Sequence, residues 1–344
     1  MGINIGGKKK KVTSMKKIVT KGGKEVPEAH APGVRWFPVQ FRKEMRIPWN
    51  WNDLLQDATK AGENLNLAIA GLILSAKVEV SSRVGEAVLR QLGFNNIESH
   101  HYFLSTSTKN GVSNPGRTFG YKKLEKDGKK YHVICAVFKG TTTVHDYITD
   151  RKAKYDGFYD AGKNCVNSLK KYMEGIKGAV KDNTILFITG HSLGAATANV
   201  VGRLSREYVN DKRIFVYTYA SPNYETEGEW KDGKTYSNFH CFTNVDDGIT
   251  TVPKTKAPRY FAKIGEEHLF NYNELEKDQK KRFGRVYEYI KEETFEEDKY
   301  FFGVPLRKME SSTHKAYKNH ISRTYLSFIL SELSDREIDN FLLV

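Results

Sequence analysis

Apolar side chains recur at helical spacing at Leu65, Ala68, Ile69 and Leu72, and again at Val84, Val88 and Leu92, which predicts two helices. The period then changes. Tyr121–Leu124, the pair Asp127-Gly128 and the run Tyr131–Phe138 (YHVICAVF) read as a strand, a tight turn and a second, buried strand. Cys165, Leu169, Tyr172, Met173 and Ile176 form a helical stripe, Thr184–Thr189 (TILFIT) a short apolar strand, and Ala195–Tyr208 a further helix. Arg213–Tyr219 and Phe239–Thr243 are two more β-rich runs. Strands and helices alternating in this way predict an α/β fold with a mostly parallel central sheet flanked by helices on both faces. Residues 254–319 are more charged and less regular, with a helix predicted around 274–292, and Ser322–Leu333 reads as another helix.

Ahead of this pattern the chain is different in kind. Residues 1–30 are rich in Lys and Gly and end near Pro27 and Pro32. The expected organisation is a basic flexible tail over 1–30 and a single α/β domain over 31–344, with 254–319 a candidate cap or lid. Of 344 residues 55 are basic and 41 acidic, a net charge of +14, and the first 24 residues hold eight lysines and no acid. Such a tail suits peripheral contact with an anionic membrane surface. No nucleic-acid-binding motif accompanies it, so nucleic acid is not an expected partner.

The lysines are not followed by the apolar stretch of a secretory leader, and the longest apolar run, Leu67–Leu74, is too short to span a bilayer. Cys135, Cys165 and Cys241 lie far apart with no CxxC pair, as expected of reduced, buried thiols. Together these features predict a cytoplasmic protein, with leaderless export or membrane-peripheral association as alternatives. His145-Asp146 and the scattered Glu/Lys pairs lack metal-ligand spacing, and no phosphate-binding loop stands between a strand and a helix. No cofactor is expected.

One motif carries chemistry. Gly190-His191-Ser192-Leu193-Gly194 is a GxSxG sequence between a predicted apolar strand and a predicted amphipathic helix, the context of a nucleophile elbow. A sharp strand-to-helix turn crowds the backbone around the serine, so its flanks must lack bulk, as Gly190, Gly194, Ala195 and Ala196 do. The turn also sets Ser192 at a helix N-terminus, where free N–H groups favour developing negative charge. The N–H of Leu193, directly after the serine, is one expected oxyanion donor. A nucleophilic serine needs a histidine base oriented by a carboxylate, and in this fold the order along the chain is Ser, acid, His. Asp246 and Asp247 follow the strand Phe239–Thr243, and the late histidines are His314 and His320.

These segments resemble the fungal-type, or class 3, lipase family of the α/β-hydrolase superfamily over most of residues 60–330. Phe138-Lys139-Gly140-Thr141 is similar to the family's Phe-Arg-Gly-Thr/Ser oxyanion segment, with Lys139 in place of the usual Arg. The segment after it, Thr141–Asp150, has Tyr147 where a Trp is usual, and Tyr155 stands where a His often precedes Gly157-Phe158. Asn244-Val245-Asp246-Asp247-Gly248-Ile249 with Val252-Pro253 resembles Asn-x-x-Asp-x-Val-x-x-Leu-Pro. The resemblance implies Asp247 rather than Asp246 as the acid, His320 rather than His314 as the base, and Thr141 as the second oxyanion donor. It further implies hydrolysis of lipid or small esters, either acylglycerols or, as a phospholipase A, membrane lipids. A catalytically inactive lipase fold that binds membranes is the contrasting expectation.

Overall fold

The computed structural model describes residues 18–19, 25–26, 35–40, 44–100, 115–140, 156–226, 235–251, 261–291, 300–301, 304–305 and 318–342. Most of the tail expected over 1–30 falls outside them, as does about half of the expected cap. Seven strands form the central sheet: β1 (Asn95–His100), β2 (Arg117–Lys126), β3 (Lys129–Phe138), β4 (Thr184–His191), β5 (Ile214–Tyr219), β6 (Phe239–Asn244) and β7 (Glu266–Phe270). Their order in space is their order in sequence. β3 to β7 run parallel to one another, and β1 and β2 continue the sheet antiparallel.

This order explains where the helices lie. Parallel strands that advance in one direction by right-handed crossovers send their connecting helices to the same face. α3 (Asp156–Glu174) and α4 (Leu193–Ser205) accordingly pack together on one face, over Ile134, Ala136, Phe138, Leu186 and Ile188. The other face needs cover from outside that progression. It comes from α1 (Leu65–Val80) and α2 (Ser82–Gln91), before the sheet, and from α6 (Ser322–Ser331) and α7 (Asp335–Leu342), after it. These helices meet Val133, Cys135, Val137, Ile185 and Phe187, the alternate side chains of the same strands. A strand buried on both faces must be apolar at successive positions, which is why β3, β4 and β5 read as unbroken runs. α1 is buried almost all round, with Asn64 Oδ1 capping it by accepting from the Leu67 N–H.

Most expected elements are present, with shifted ends. β4 runs on to His191, and α4 begins at Leu193 and stops at Ser205 rather than Tyr208. The β2–β3 turn has φ of +52° at Asp127 and +72° at Gly128, the backbone of a type I′ hairpin. α5 (Lys277–Lys291) matches the helix expected around 274–292. Elements not expected from the sequence include β1, β7, α7, the hairpin of Arg35–Gln40 with Glu44–Trp49, and a short antiparallel pair, Ile18–Val19 with Glu25–Val26, inside the segment expected to be a flexible tail. β1 and β7 are the sheet's two edges, where one side of the strand is polar and the apolar run is lost. Among the described residues no helix is long and apolar enough to cross a membrane.

Candidate active site

β4 delivers its last residue, His191, directly to Ser192, and α4 starts at the next position. Ser192 has φ +55° and ψ −127°, a conformation that costs an L-residue on the order of 1–3 kcal/mol. It is held there by the backbone: Ser192 N donates to the Tyr219 carbonyl of the adjacent strand at 2.9 Å, and the Ser192 carbonyl accepts from Ala195 N at 3.0 Å. A Cβ on Gly190 would stand 2.3 Å from the Gly194 carbonyl oxygen, and one on Gly194 would stand 2.3 Å from the Phe138 carbonyl oxygen. Both glycines are therefore steric requirements. The second brings α4 against the end of β3, where Phe138-Lys139-Gly140 begins.

Ser192, His320 and Asp247 meet around this turn. The Ser192 hydroxyl lies 2.8 Å from His320 Nε2, and His320 Nδ1 lies 2.8 Å from Asp247 Oδ2. A carboxylate only accepts, so Nδ1 carries the ring proton and Nε2 turns its lone pair toward the serine. All three are buried, Asp247 completely. Asp246 is exposed, and its backbone carbonyl accepts from Asn319 Nδ2 at 2.9 Å. His314 and Thr141 lie outside the described residues, as do Tyr147 and Tyr155. Leu193 is the first residue of α4, so its N–H is one of those a helix leaves without an intrahelical acceptor. Lys139 forms no ion pair among the described residues.

The carboxylate is well satisfied. Asp247 Oδ2 also accepts from the Tyr325 hydroxyl at 2.8 Å, and Oδ1 accepts from the Ile249 N–H at 3.0 Å. Tyr325 in turn accepts from Asn244 N at 3.0 Å. Burial, with Asp247 beside it, pushes the Tyr325 hydroxyl well above the ordinary phenol range, so it stays a donor. Asn244 spans two loops: Oδ1 accepts from Asp246 N at 3.2 Å and Nδ2 donates to the Asn319 carbonyl at 3.0 Å. The asparagine of the Asn-x-x-Asp segment thus ties the acid loop to the histidine loop.

A second set of contacts supports the elbow from the α1 side. His191 Nε2 donates to the His320 backbone carbonyl at 2.9 Å, and its Nδ1 stands 3.4 Å from Glu79 Oε1. The same Glu79 oxygen accepts from the Gly140 N–H at 3.3 Å. Glu79, on α1, therefore joins the residue before the serine to the residue before Thr141. Tyr325, His191, Glu79 and Asn319 were not singled out from sequence for this site. Only His191 carried a signal there, its place inside GxSxG; the others reach the site through tertiary packing. The three cysteines are buried and free, and burial raises the thiols, those of Cys165 and Cys241 to about 11, which leaves them poor nucleophiles.

A strained serine between the fourth strand of a mostly parallel sheet and the helix after it defines the α/β-hydrolase class of architecture. Residues 134–257 match the family model described as lipase (class 3), and the chain is similar to the fungal-type lipases of that family over this segment. The match begins within β3 and takes in Ser192 and Asp247. It supports a hydrolase of the lipase kind. No curated protein matches the chain.

Proposed function

We propose that the protein is a serine hydrolase that cleaves carboxylic esters of lipids, acylglycerols foremost, through an acyl-enzyme on Ser192. The observation that carries this reading is the continuous hydrogen-bonded line from Ser192 Oγ through His320 to Asp247, with 2.8 Å at each link. His320 Nε2 takes the hydroxyl proton as Oγ attacks the acyl carbon, and Asp247 stabilises the imidazolium that results. The negative charge that moves to the carbonyl oxygen falls to the Leu193 N–H and, by resemblance, to Thr141; each such donor is worth about 3 kcal/mol of barrier. The C–O bond then breaks as the leaving alkoxide takes the proton back from His320. Water, deprotonated by the same imidazole, releases the acid and restores Ser192.

The test is a fluorophosphonate probe applied to wild type, Ser192→Ala and His320→Ala, alongside hydrolysis of p-nitrophenyl esters of increasing acyl length. Labelling of wild type, none of Ser192→Ala and sharply weakened labelling of His320→Ala are expected, with a preference for longer acyl chains. If wild type neither labels nor turns over any ester, with or without detergent, the reading fails. Activity on phospholipid vesicles exceeding that on acylglycerols would move the substrate to membrane lipids.

A further inference from the structure

Away from Ser192, at the β5–β7 end of the sheet, three metal-ligating side chains share the face that α1 covers. Cross-strand register sets them there. His240 on β6 pairs with Glu266 on β7, and Phe242 with His268, so His240, Glu266 and His268 project to one side of neighbouring strands. His240 Nδ1 lies 3.1 Å from His268 Nε2, and the ligating atoms of all three residues lie within 4.8 Å of one another. A tetrahedral zinc ion with nitrogens at about 2.0–2.1 Å separates them by about 3.3 Å, close to the spacing already present.

The surrounding groups fit the same purpose. Glu63 Oε2 stands 3.2 Å from His268 Nδ1. That carboxylate accepts the Nδ1 proton and leaves the Nε2 lone pair facing His240, as in the carboxylate–histidine–metal arrangement. Glu266 is exposed and has no ion pair among the described residues, unlike its neighbour Glu267, which takes Lys263 Nζ at 2.8 Å and the Thr243 hydroxyl at 2.7 Å. His240 is buried, with its ring centroid 4.8 Å from that of Tyr217. β7 is an edge strand, so the third ligand is open to solvent and an ion has a way in.

We infer that His240, His268 and Glu266 form a site for a divalent ion of the zinc kind, with Glu63 orienting His268 and water completing the coordination. Two imidazoles and a carboxylate suit Zn²⁺ and exclude a preference for Ca²⁺ or Mg²⁺, which take oxygen ligands. Binding needs no net proton release: the proton on His240 Nδ1 is replaced by the metal and carried on Nε2 instead. The site shares no residue with Ser192, His320 and Asp247, and the inference stands whether or not the protein hydrolyses esters. Its effect is to pin β6 to the edge strand β7 and, through Glu63, to the start of α1.

The full chain, stripped with chelator, is titrated with Zn²⁺ by calorimetry and with Co²⁺ by visible absorption, for wild type, Glu266→Gln, His268→Gln and Glu63→Gln. Wild type is expected to bind one equivalent with a higher melting temperature and a four- or five-coordinate Co²⁺ spectrum. Glu266→Gln should weaken binding at least tenfold, His268→Gln should abolish it, and Glu63→Gln should weaken it about 10–100-fold. Glu266 is exposed, so its variant decides the matter even if the His268 variant does not fold, and far-UV circular dichroism checks each. Absence of stoichiometric binding by wild type overturns the site. So does binding of equal affinity and spectrum in wild type and Glu266→Gln.

Discussion

His320 and His268 each have a carboxylate at Nδ1, and they differ in what the remaining ring nitrogen meets. His320 gives Nδ1 to Asp247 at 2.8 Å and presents Nε2 to a hydroxyl, Ser192, at 2.8 Å. His268 presents Nδ1 to Glu63 at 3.2 Å, and its Nε2 meets a second imidazole, His240, at 3.1 Å. In both pairs the acid settles the tautomer. The partner settles the use: a lone pair facing an O–H can take a proton, and a lone pair facing a ring N–H can share a cation once that proton moves to the other nitrogen of its ring. The two acids differ as well. Asp247 is wholly buried and holds three donors, whereas the Glu63 side chain is 30% exposed, so the first fixes one geometry and the second tolerates adjustment.

The sharpest way to break the comparison is to remove the hydroxyl. Ser192→Ala is expected to lower kcat by about 10⁶-fold while leaving Zn²⁺ affinity at the second pair unchanged, read by ester hydrolysis and calorimetry on one preparation. Substantial residual turnover would point to a nucleophile other than Ser192. Next in size is the same isosteric change made at both acids. Asp247→Asn should cost about 10⁴-fold in kcat, because an amide that donates to Nδ1 forces the wrong tautomer on His320. Glu63→Gln should leave kcat within about twofold, since its histidine does no proton transfer in the proposed reaction. Equal losses from the two substitutions would show that the two pairs are coupled and would contradict separate roles for them.

Tyr325→Phe is expected to have a smaller effect. It removes one of the three donors to Asp247 and strands the buried Asn244 N–H, at about 1–3 kcal/mol of stability. His320 keeps its own hydrogen bond, so kcat should fall only about tenfold. Denaturant midpoints and kcat measured together separate the two effects. A stable variant with unchanged kcat would mean that Tyr325 merely fills space.

Much of the centre of this fold was legible in the sequence, and the reason is burial. β3, β4 and β5 are covered on both faces, so their composition alone marks them, and the elbow is written in the two glycines that steric contact demands. The edges were not legible. β7 is Glu-Glu-His-Leu-Phe, polar enough to pass for loop, and only its register with β6 makes it a strand. The same holds for sites. Asp247 and His320 follow an order along the chain that the fold imposes, whereas Glu79 sits 112 residues from His191 with no motif around it. His240 and His268 are 28 residues apart, a spacing without meaning until two parallel strands put them side by side.

The smallest effect is expected at Glu79, and it separates the two halves of the proposed active site. The Asp247–His320 half carries its own hydrogen bonds, but Gly140, next to Thr141, gives its N–H to a side chain from α1. Removing that acceptor in Glu79→Ala leaves the Gly140 N–H without it and lets the oxyanion segment drift from the end of β3. Complete loss of an oxyanion donor costs about 3 kcal/mol. A displaced donor costs less, and a loss of somewhat under tenfold in kcat with KM unchanged is expected, since the charge it serves develops only in the transition state. Glu79→Gln keeps an oxygen for Gly140 and should recover most of that loss. A change in KM alone, or equal losses from Ala and Gln, would instead place the role of Glu79 in its charge beside His191 and not in its hold on Gly140.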